Sequence, residues 1–189
     1  MNNKYLFSGN EKITSSLVYG DYIWIAFNGI SNICLLYQSS IFNPNSRYRD
    51  INIVANEITN MVDDATRVFM SLDDVASMGA RVYKTSEYIG YYEKNNTIVE
   101  KAIDLIVDSV YIYFLTPGIQ SGINSKIVKY DLYYSTLVEI IDLTTVLNAS
   151  KIDIDSAGKL WVQSDLDGTP KITKVWYDTS WHFTTHVLS

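Results

Sequence analysis

The feature that most constrains the fold of this chain is a repeat of about 47 residues. Tyrosines that close short apolar runs stand at Tyr37, Tyr83, Tyr130 and Tyr177, with separations of 46, 47 and 47 residues. Even spacing of this kind is typical of folds in which each repeat is one supersecondary unit, stacked against the next. The chain of 189 residues therefore reads as four similar units.

A second aromatic series supports the same spacing. One apolar run lies behind a turn in each unit, and these runs hold Trp24, Phe69, Tyr113 and Trp161. Other short runs precede each turn and follow each tyrosine, so each unit reads as four strands joined by turns and loops. We expect the four aromatic residues to be equivalent in position and mostly buried. Replacing Trp161 with Ala should then cost about 3–5 kcal/mol of stability.

The repeat predicts an all-β fold, a small β-propeller of about four four-stranded antiparallel blades. One sheet cannot cover both of its faces, whereas blades packed face to face around an axis bury them. The predicted blades are residues 13–55, 56–101, 102–148 and 149–189 of a single domain, 1–189. Four blades either close a ring by themselves or form an arc that another subunit completes.

An α+β fold is the alternative. Apolar residues between Asn56 and Met78 share one helical face, and a similar stripe lies between Asn95 and Val107. Helices near 56–78 and 95–107 would then replace the second blade. The repeat favours the all-β fold because Phe69 stands where the repeat places an aromatic residue, and because the first and fourth units have no helical pattern.

The last unit carries the most specific pattern. Asp155, Gly158, Leu160, Trp161 and Val162 spell D-x-x-G-x-L-W-V, a polar glycine turn that leads into a strand with an aromatic anchor. This pattern resembles the repeat of two-component-regulator and NHL-like propellers. The first three units keep the aromatic residue but lack the glycine turn in its usual place. The resemblance implies a binding or sensing module and brings no catalytic residues.

The sequence predicts no metal site, no cofactor and no catalytic centre. Asp153, Asp155 and Gly158 begin like a calcium loop, but Ala157 stands at its fifth position and Ser164 at its twelfth. The chain has no G-x-S-x-G nucleophile motif and no phosphate-binding loop. We therefore expect a protein that is not an enzyme.

Composition narrows the partners. The net charge is -6 and no basic stripe is present, which argues against binding to nucleic acid. No apolar stretch is long enough for a transmembrane helix or a signal peptide, so we expect synthesis in the cytoplasm without membrane insertion. The single cysteine, Cys34, is predicted to be a core residue. On a strand, His182 and His186 would be about 13 Å apart, too far for one zinc ion.

Aromatic residues outside the predicted strands are the candidate binding residues. Loop aromatics can stack on sugars or anchor a protein partner, and the strongest candidates are Tyr88, Tyr91, Tyr92 and Trp181. The three tyrosines lie in one predicted loop, Ser86–Asn96. These residues predict partners that are proteins of an assembly or a surface glycan.

The chain is rich in Asn, Ile, Tyr and Lys, in the style of uncharacterised virion proteins from AT-rich bacteriophages. We therefore predict a non-enzymatic tail or attachment module of a virion, which engages neighbouring proteins, further copies of itself or surface glycans. Two alternatives are a bacterial cytosolic sensor or scaffold propeller and a glycan-active hydrolase. Binding assays and turnover assays separate these classes.

Overall fold

The computed structural model describes residues 12–27, 33–54, 57–63, 68–73, 78–84, 87–92, 102–116, 124–132, 136–144, 146–166 and 168–188. These residues form sixteen strands in four antiparallel sheets, and no helix lies among them. Each sheet has four strands that lie side by side in chain order. The predicted all-β architecture of four four-stranded units is therefore confirmed.

Each sheet is one blade, numbered in chain order. Blade 1 consists of β1 (Ile13–Tyr19), β2 (Tyr22–Phe27), β3 (Ile33–Ser40) and β4 (Asn43–Val54). Blade 2 consists of β5 (Glu57–Asp63), β6 (Val68–Asp73), β7 (Met78–Lys84) and β8 (Glu87–Tyr92). Blade 3 consists of β9 (Asp104–Val107), β10 (Tyr111–Thr116), β11 (Lys126–Asp131) and β12 (Leu137–Asp142). Blade 4 consists of β13 (Ala149–Ile154), β14 (Leu160–Leu166), β15 (Thr169–Tyr177) and β16 (Trp181–Val187).

Tight turns that contain glycine join the first and second strands of blades 1 and 4. Gly20 and Asp21 link β1 to β2, and Gly20 has a φ of 57°. Gly158 has a φ of 74° in the turn between β13 and β14. Glycine adopts this left-handed conformation without a steric penalty, so both turns can reverse the chain sharply.

The blades are arranged around their first strands. β1 packs against β5, β5 against β9, and β9 against β13. No comparable packing joins β13 to β1 within the described ranges. The four blades therefore form an open arc, in which blade 1 and blade 4 each have one face without a described neighbouring blade.

Each blade has a forward face, toward the next blade in the chain, and a backward face, toward the previous one. Successive side chains of a strand point to opposite faces. On each second strand one aromatic residue faces forward and its two neighbours face backward. The four triplets are Ile23-Trp24-Ile25, Val68-Phe69-Met70, Ile112-Tyr113-Phe114 and Leu160-Trp161-Val162.

The three interfaces between blades follow one rule, in which a forward aromatic residue packs against the backward pair of the next triplet. Trp24 shares one buried cluster with Val68 and Met70, Phe69 shares the next with Ile112 and Phe114, and Tyr113 shares the third with Leu160 and Val162. Full burial of a large apolar side chain contributes about 1.5–3 kcal/mol. The interfaces between blades are therefore the hydrophobic core of the protein.

The four aromatic residues are equivalent in position and mostly buried, as expected, but Trp161 is less buried than the other three. Trp24 and Phe69 are fully buried and Tyr113 is 6% exposed, whereas Trp161 is only partly buried. The reason is that Trp161 faces forward from blade 4, where no described blade covers it. The cost of Trp161→Ala stays a prediction, and for a single chain we expect it to be smaller than the cost of about 3–5 kcal/mol for a fully buried aromatic residue.

The helical alternative is wrong for residues 56–78, which contain strands β5 and β6 and the start of β7. Both faces of blade 2 are buried: Ile58 and Met61 pack against blade 1, while Val62 and Phe69 pack against blade 3. Strands that are buried on both faces read as continuous apolar runs, which mimic a helical stripe. In the second predicted helix, residues 104–107 are strand β9, and residues 95–101 lie outside the described ranges.

Candidate functional site

A row of polar side chains runs along the innermost strands of the arc. The strand registers place Ser15 opposite Ala26, Asn60 opposite Ser71, Asp104 opposite Leu115 and Lys151 opposite Gln163. Ser15, Asn60, Asp104 and Lys151 therefore occupy equivalent positions in blades 1 to 4, and we call them the axial row. Each blade contributes one member, so the row crosses every interface between described blades.

The members of the axial row contact one another in sequence. Ser15 Oγ lies 3.5 Å from Asn60 Oδ1, and Asn60 Nδ2 donates a hydrogen bond to Asp104 Oδ1. The ammonium group of Lys151 lies 3.9 Å from Asp104 Oδ2. The row thus links four sheets by polar contacts beside their apolar interfaces. Its last member, Lys151, has a side chain that is 61% exposed.

Asp104 is the buried centre of the axial row. Its side chain is 2% exposed, and its carboxylate accepts hydrogen bonds from the backbone N–H groups of Leu105 and Ile152, each at 3.0 Å. The bond from Ile152 joins blade 4 to blade 3. Burial raises the pKa of Asp104 above its ordinary value, although the Ile152 hydrogen bond and the Lys151 charge oppose the rise.

The raised pKa of Asp104 gives a testable pH dependence. The folded state holds the Asp104 proton more tightly than the unfolded state, so ionisation of this group lowers stability as pH rises from 3.8 to the raised value. We therefore expect the stability difference between the native protein and Asp104→Asn to shrink over this range. Urea denaturation of both proteins from about pH 3.5 to 7 measures the difference. A difference that stays constant or grows with pH would contradict this assignment.

A cleft of about 570 Å³, which we call the axial cleft, is lined by residues of blades 2, 3 and 4. Its lining includes Asn60 and Asp104 of the axial row, together with Lys151, Trp161 and Gln163 of blade 4. The cleft therefore combines one indole with amide, carboxylate and ammonium groups. It lies where a blade following blade 4 would pack.

Turn aspartates hold the forward aromatic residues of the last two blades. Asp155 accepts hydrogen bonds from the N–H groups of Ala157 and Lys159, each at 2.9 Å, and from Trp161 Nε1 at 3.1 Å. In blade 3, Asp108 accepts a 2.8 Å bond from the hydroxyl of Tyr113. The carboxylate that resembled a calcium ligand in the sequence is therefore used by its own turn. Sequence reasoning missed this pairing, whose signal is a turn aspartate five or six residues before the aromatic anchor.

Asp155 has the opposite pH signature to Asp104. The hydrogen bond from the Lys159 backbone and that from Trp161 lower the pKa of Asp155 below 3.8. Its stabilising effect is therefore present at pH values above 3.8 and is lost as pH falls through the lowered value. We expect Asp155→Ala to lower the melting temperature by about 2–4 °C at pH 7. The exposed Asp165→Ala is the control, and equal shifts for both variants would contradict the anchoring role of Asp155.

The forward face of blade 4 also carries an aromatic ladder. The ammonium group of Lys174 lies 5.1 Å from the ring centroid of Trp161 and 5.9 Å from that of Trp176. The Trp176 ring stacks on His182, with centroids 5.2 Å apart and an angle of 19° between the planes. All four side chains are half-buried. Such a ladder presents flat surfaces that a partner can cover.

The structure corrects the placement of the candidate binding residues that the sequence indicated. Tyr88, Tyr91 and Tyr92 lie in β8, the outermost strand of blade 2, and Trp181 begins β16, so none of them is a loop residue. The side chains of the three tyrosines lie outside the described part of the structure. The role of all four residues in binding stays a prediction. The three tyrosines and Trp181 belong to the outer strands of two different blades.

Trp181 lines a second, smaller pocket of about 190 Å³ between blades 3 and 4. Its Nε1 donates a 2.7 Å hydrogen bond to Glu139 Oε1, and its ring meets that of Tyr177 edge to face at 5.3 Å. Tyr113 and Lys129 also line this pocket. These contacts tie the outermost strand of blade 4 to blade 3, so Trp181 has a packing role whatever else it binds.

Two negative findings hold for the described residues. Their His, Cys, Asp and Glu side chains form no cluster of three or more that could hold a metal ion. None of their secondary structure is a helix with the length and apolar character needed to cross a membrane.

Sequence comparison finds no matching family model and no matching curated protein. Solved structures do match, and three of them are 9–14% identical to this chain. Hydrazine synthase of Kuenenia stuttgartiensis is 12% identical with a TM-score of 0.74, over 94% of this chain and 54% of that one. A candidate 6-phosphogluconolactonase of Bacteroides uniformis is 14% identical with a TM-score of 0.69, over 100% of this chain and 58% of that one. The WD40 domain of SCAP from fission yeast is 9% identical with a TM-score of 0.57, over 98% of this chain and 55% of that one.

The fold is that of a β-propeller. Four antiparallel four-stranded sheets around a common axis, together with matches that include a WD40 domain, establish it. This propeller of four blades spans a little over half the length of the three matched chains. Likeness at such low identity shows the fold alone, because one fold serves many functions.

Proposed function

We propose that this propeller is a non-enzymatic binding and scaffold module that joins a neighbouring protein subunit through the open ends of its arc. The exposure of Trp161 carries the proposal. Its three equivalents are buried against a following blade, whereas Trp161 is only partly covered. A large aromatic residue at the centre of an uncovered face is typical of the residues that contribute most to protein interfaces.

The polarity of this face suits a contact between separately folded chains. Around Trp161 lie the exposed side chains of Lys151, Asp153, Gln163 and Asp165. The forward faces inside the protein carry apolar residues such as Leu17 and Leu115 in place of these groups. An apolar centre with a polar surround is usual in interfaces that must also be soluble before they form.

The test is to map where this protein is cross-linked to other chains in its source cells. We expect intermolecular cross-links with an amine-reactive reagent to concentrate on Lys151 and Lys174, which flank Trp161. Lys159, in the turn between β13 and β14, is the control on the same blade. Cross-links that favour Lys159 equally, or an absence of cross-links at Lys151 and Lys174, would contradict a binding role for the open end.

Glycan binding is the second candidate, and the aromatic ladder favours it. Half-buried indole rings of Trp161 and Trp176 offer stacking surfaces for sugar rings beside polar side chains. A glycan array with the native protein and Trp176→Ala tests this candidate, which predicts that the signal is lost in the variant. Turnover of a glycoside, abolished by one carboxylate substitution, would instead support the hydrolase alternative. The virion tail or attachment setting stays a prediction from the style of the sequence.

A further inference from the structure

We infer that the subunit bound at the open end is a second copy of this chain, and that two arcs close head to tail into a ring of eight blades. This inference rests on the proposed function and names its partner. In such a ring the forward face of blade 4 in each copy packs on the backward face of blade 1 in the other copy. Eight blades lie within the usual range for propellers.

The two open faces are complementary in the same way as the two faces of each internal interface. Each internal interface places a forward aromatic residue against the backward pair of the next triplet. At the open ends the forward aromatic residue is Trp161, and the backward pair is Ile23 and Ile25. All three are only partly buried, whereas every other member of the four triplets is buried. The chain therefore carries both faces of one further interface, the forward face of blade 4 and the backward face of blade 1.

The backward face of blade 1 carries further apolar surface. Val18 pairs with Ile23 across β1 and β2, so the two share a face, and Val18 is 62% exposed. The backward faces of blades 2 to 4 likewise present apolar side chains to their neighbours. The backward face of blade 1 offers apolar surface against which the ring of Trp161 can pack.

The order of contacts along the axial row also fits a closed ring. Within the chain each member meets its equivalent in the next blade, and the last of the described contacts is that between Asp104 and Lys151. In the closed ring the next equivalent after Lys151 is Ser15 of the second copy. An ammonium donor then faces a hydroxyl acceptor, and no charge is left facing a like charge.

The size of the arc supports a partner with about as many blades. The chain spans 54–58% of the three solved structures compared above, so a little less than half of their length has no counterpart in it. A second copy supplies an arc of nearly that size. Two head-to-tail contacts related by a twofold axis also close without leaving a free face, as symmetric assemblies require.

Light scattering coupled to size exclusion tests the inference on the purified 189-residue chain. We expect a particle of twice the 21.5 kDa chain mass. Trp161→Asp on the forward face and Val18→Asp on the backward face should each weaken association about tenfold or more and shift the mass toward one chain. Val138→Asp is the matched control, since Val138 is an exposed apolar residue of the outer strand β12 (47%).

Mixing the two variants makes the test specific. A particle with one copy of each has one interface that carries both substitutions and one that carries neither, so the mixture should regain two-chain particles. Circular dichroism checks that the variants fold, and Gln163→Arg on the same exposed face replaces Trp161→Asp if that variant does not. A single-chain mass for the native protein would overturn the inference, as would variants that leave a two-chain mass unchanged or a mixture that is not rescued. Cross-links from Lys151 to a different protein would then still support the proposed function.

Discussion

Replacing Trp24 with Ala is expected to lower the free energy of unfolding by about 3–5 kcal/mol, the range for removal of a buried aromatic side chain. Trp24 is fully buried and packs against Met61, Val68 and Met70 of blade 2. The truncation leaves a cavity between two rigid sheets, which cannot collapse easily to fill it. Equilibrium denaturation in urea, with the slope compared to that of the native protein, measures the loss.

Trp161→Ala is the informative comparison, because Trp161 occupies the equivalent forward position in blade 4. In a dilute sample its cost should be clearly smaller than that of Trp24→Ala, since the indole is only partly covered in one chain. The cost should grow with protein concentration if a second copy covers the face, because association adds stability by mass action. Equal, concentration-independent costs at the two positions would show that blade 4 is covered within one chain.

Replacing Asp104 with Ala is the second change for which we expect a large effect, a loss of about 3 kcal/mol or more. The carboxylate accepts hydrogen bonds from the backbone of Leu105 and Ile152 and from the side chain of Asn60. Each buried donor left without an acceptor costs about 1–3 kcal/mol. The Ile152 bond is also a direct link between blades 3 and 4, so blade 4 should loosen first.

Asp153→Ala is the matched control for Asp104→Ala. Both residues line the axial cleft, but Asp153 is exposed. Amide hydrogen exchange resolved by residue should show faster exchange in β13, at Ile152 above all, for Asp104→Ala and little change for Asp153→Ala. Equal acceleration of exchange in all blades, or similar acceleration in the two variants, would contradict the role of Asp104 as a link between blades 3 and 4.

The features that the sequence predicted well depend on local chemistry repeated four times. The aromatic series at Trp24, Phe69 and Tyr113 marks one strand in each of the first three blades, because each of these blades needs a forward anchor at its interface with the next. The glycine turn at Gly158 marks a hairpin because few other residues adopt its backbone conformation. The stretch around Phe69 was ambiguous because both faces of blade 2 are buried, which removes the alternation that identifies a strand.

The site could not be predicted from the sequence because it depends on relations between blades. Asp104 is one acidic residue among 21 in the chain, and only the strand register shows that it is equivalent to Asn60 and Lys151. The exposure of Trp161 follows from the arc being open, and a repeat count does not reveal whether a ring closes. The sequence predicts a loop for the candidate tyrosines of β8, because Gly90 and the polar residues that follow Tyr92 resemble a turn.

Small-angle X-ray scattering of the purified chain tests the central claim most directly, because it reports mass and shape together. We expect a particle of two chains whose distance distribution is that of a closed ring with low density at its axis. Trp161→Asp should convert this profile to that of a single open arc. A native profile that fits one chain at every concentration would contradict the assignment of the open ends as the contact between two copies.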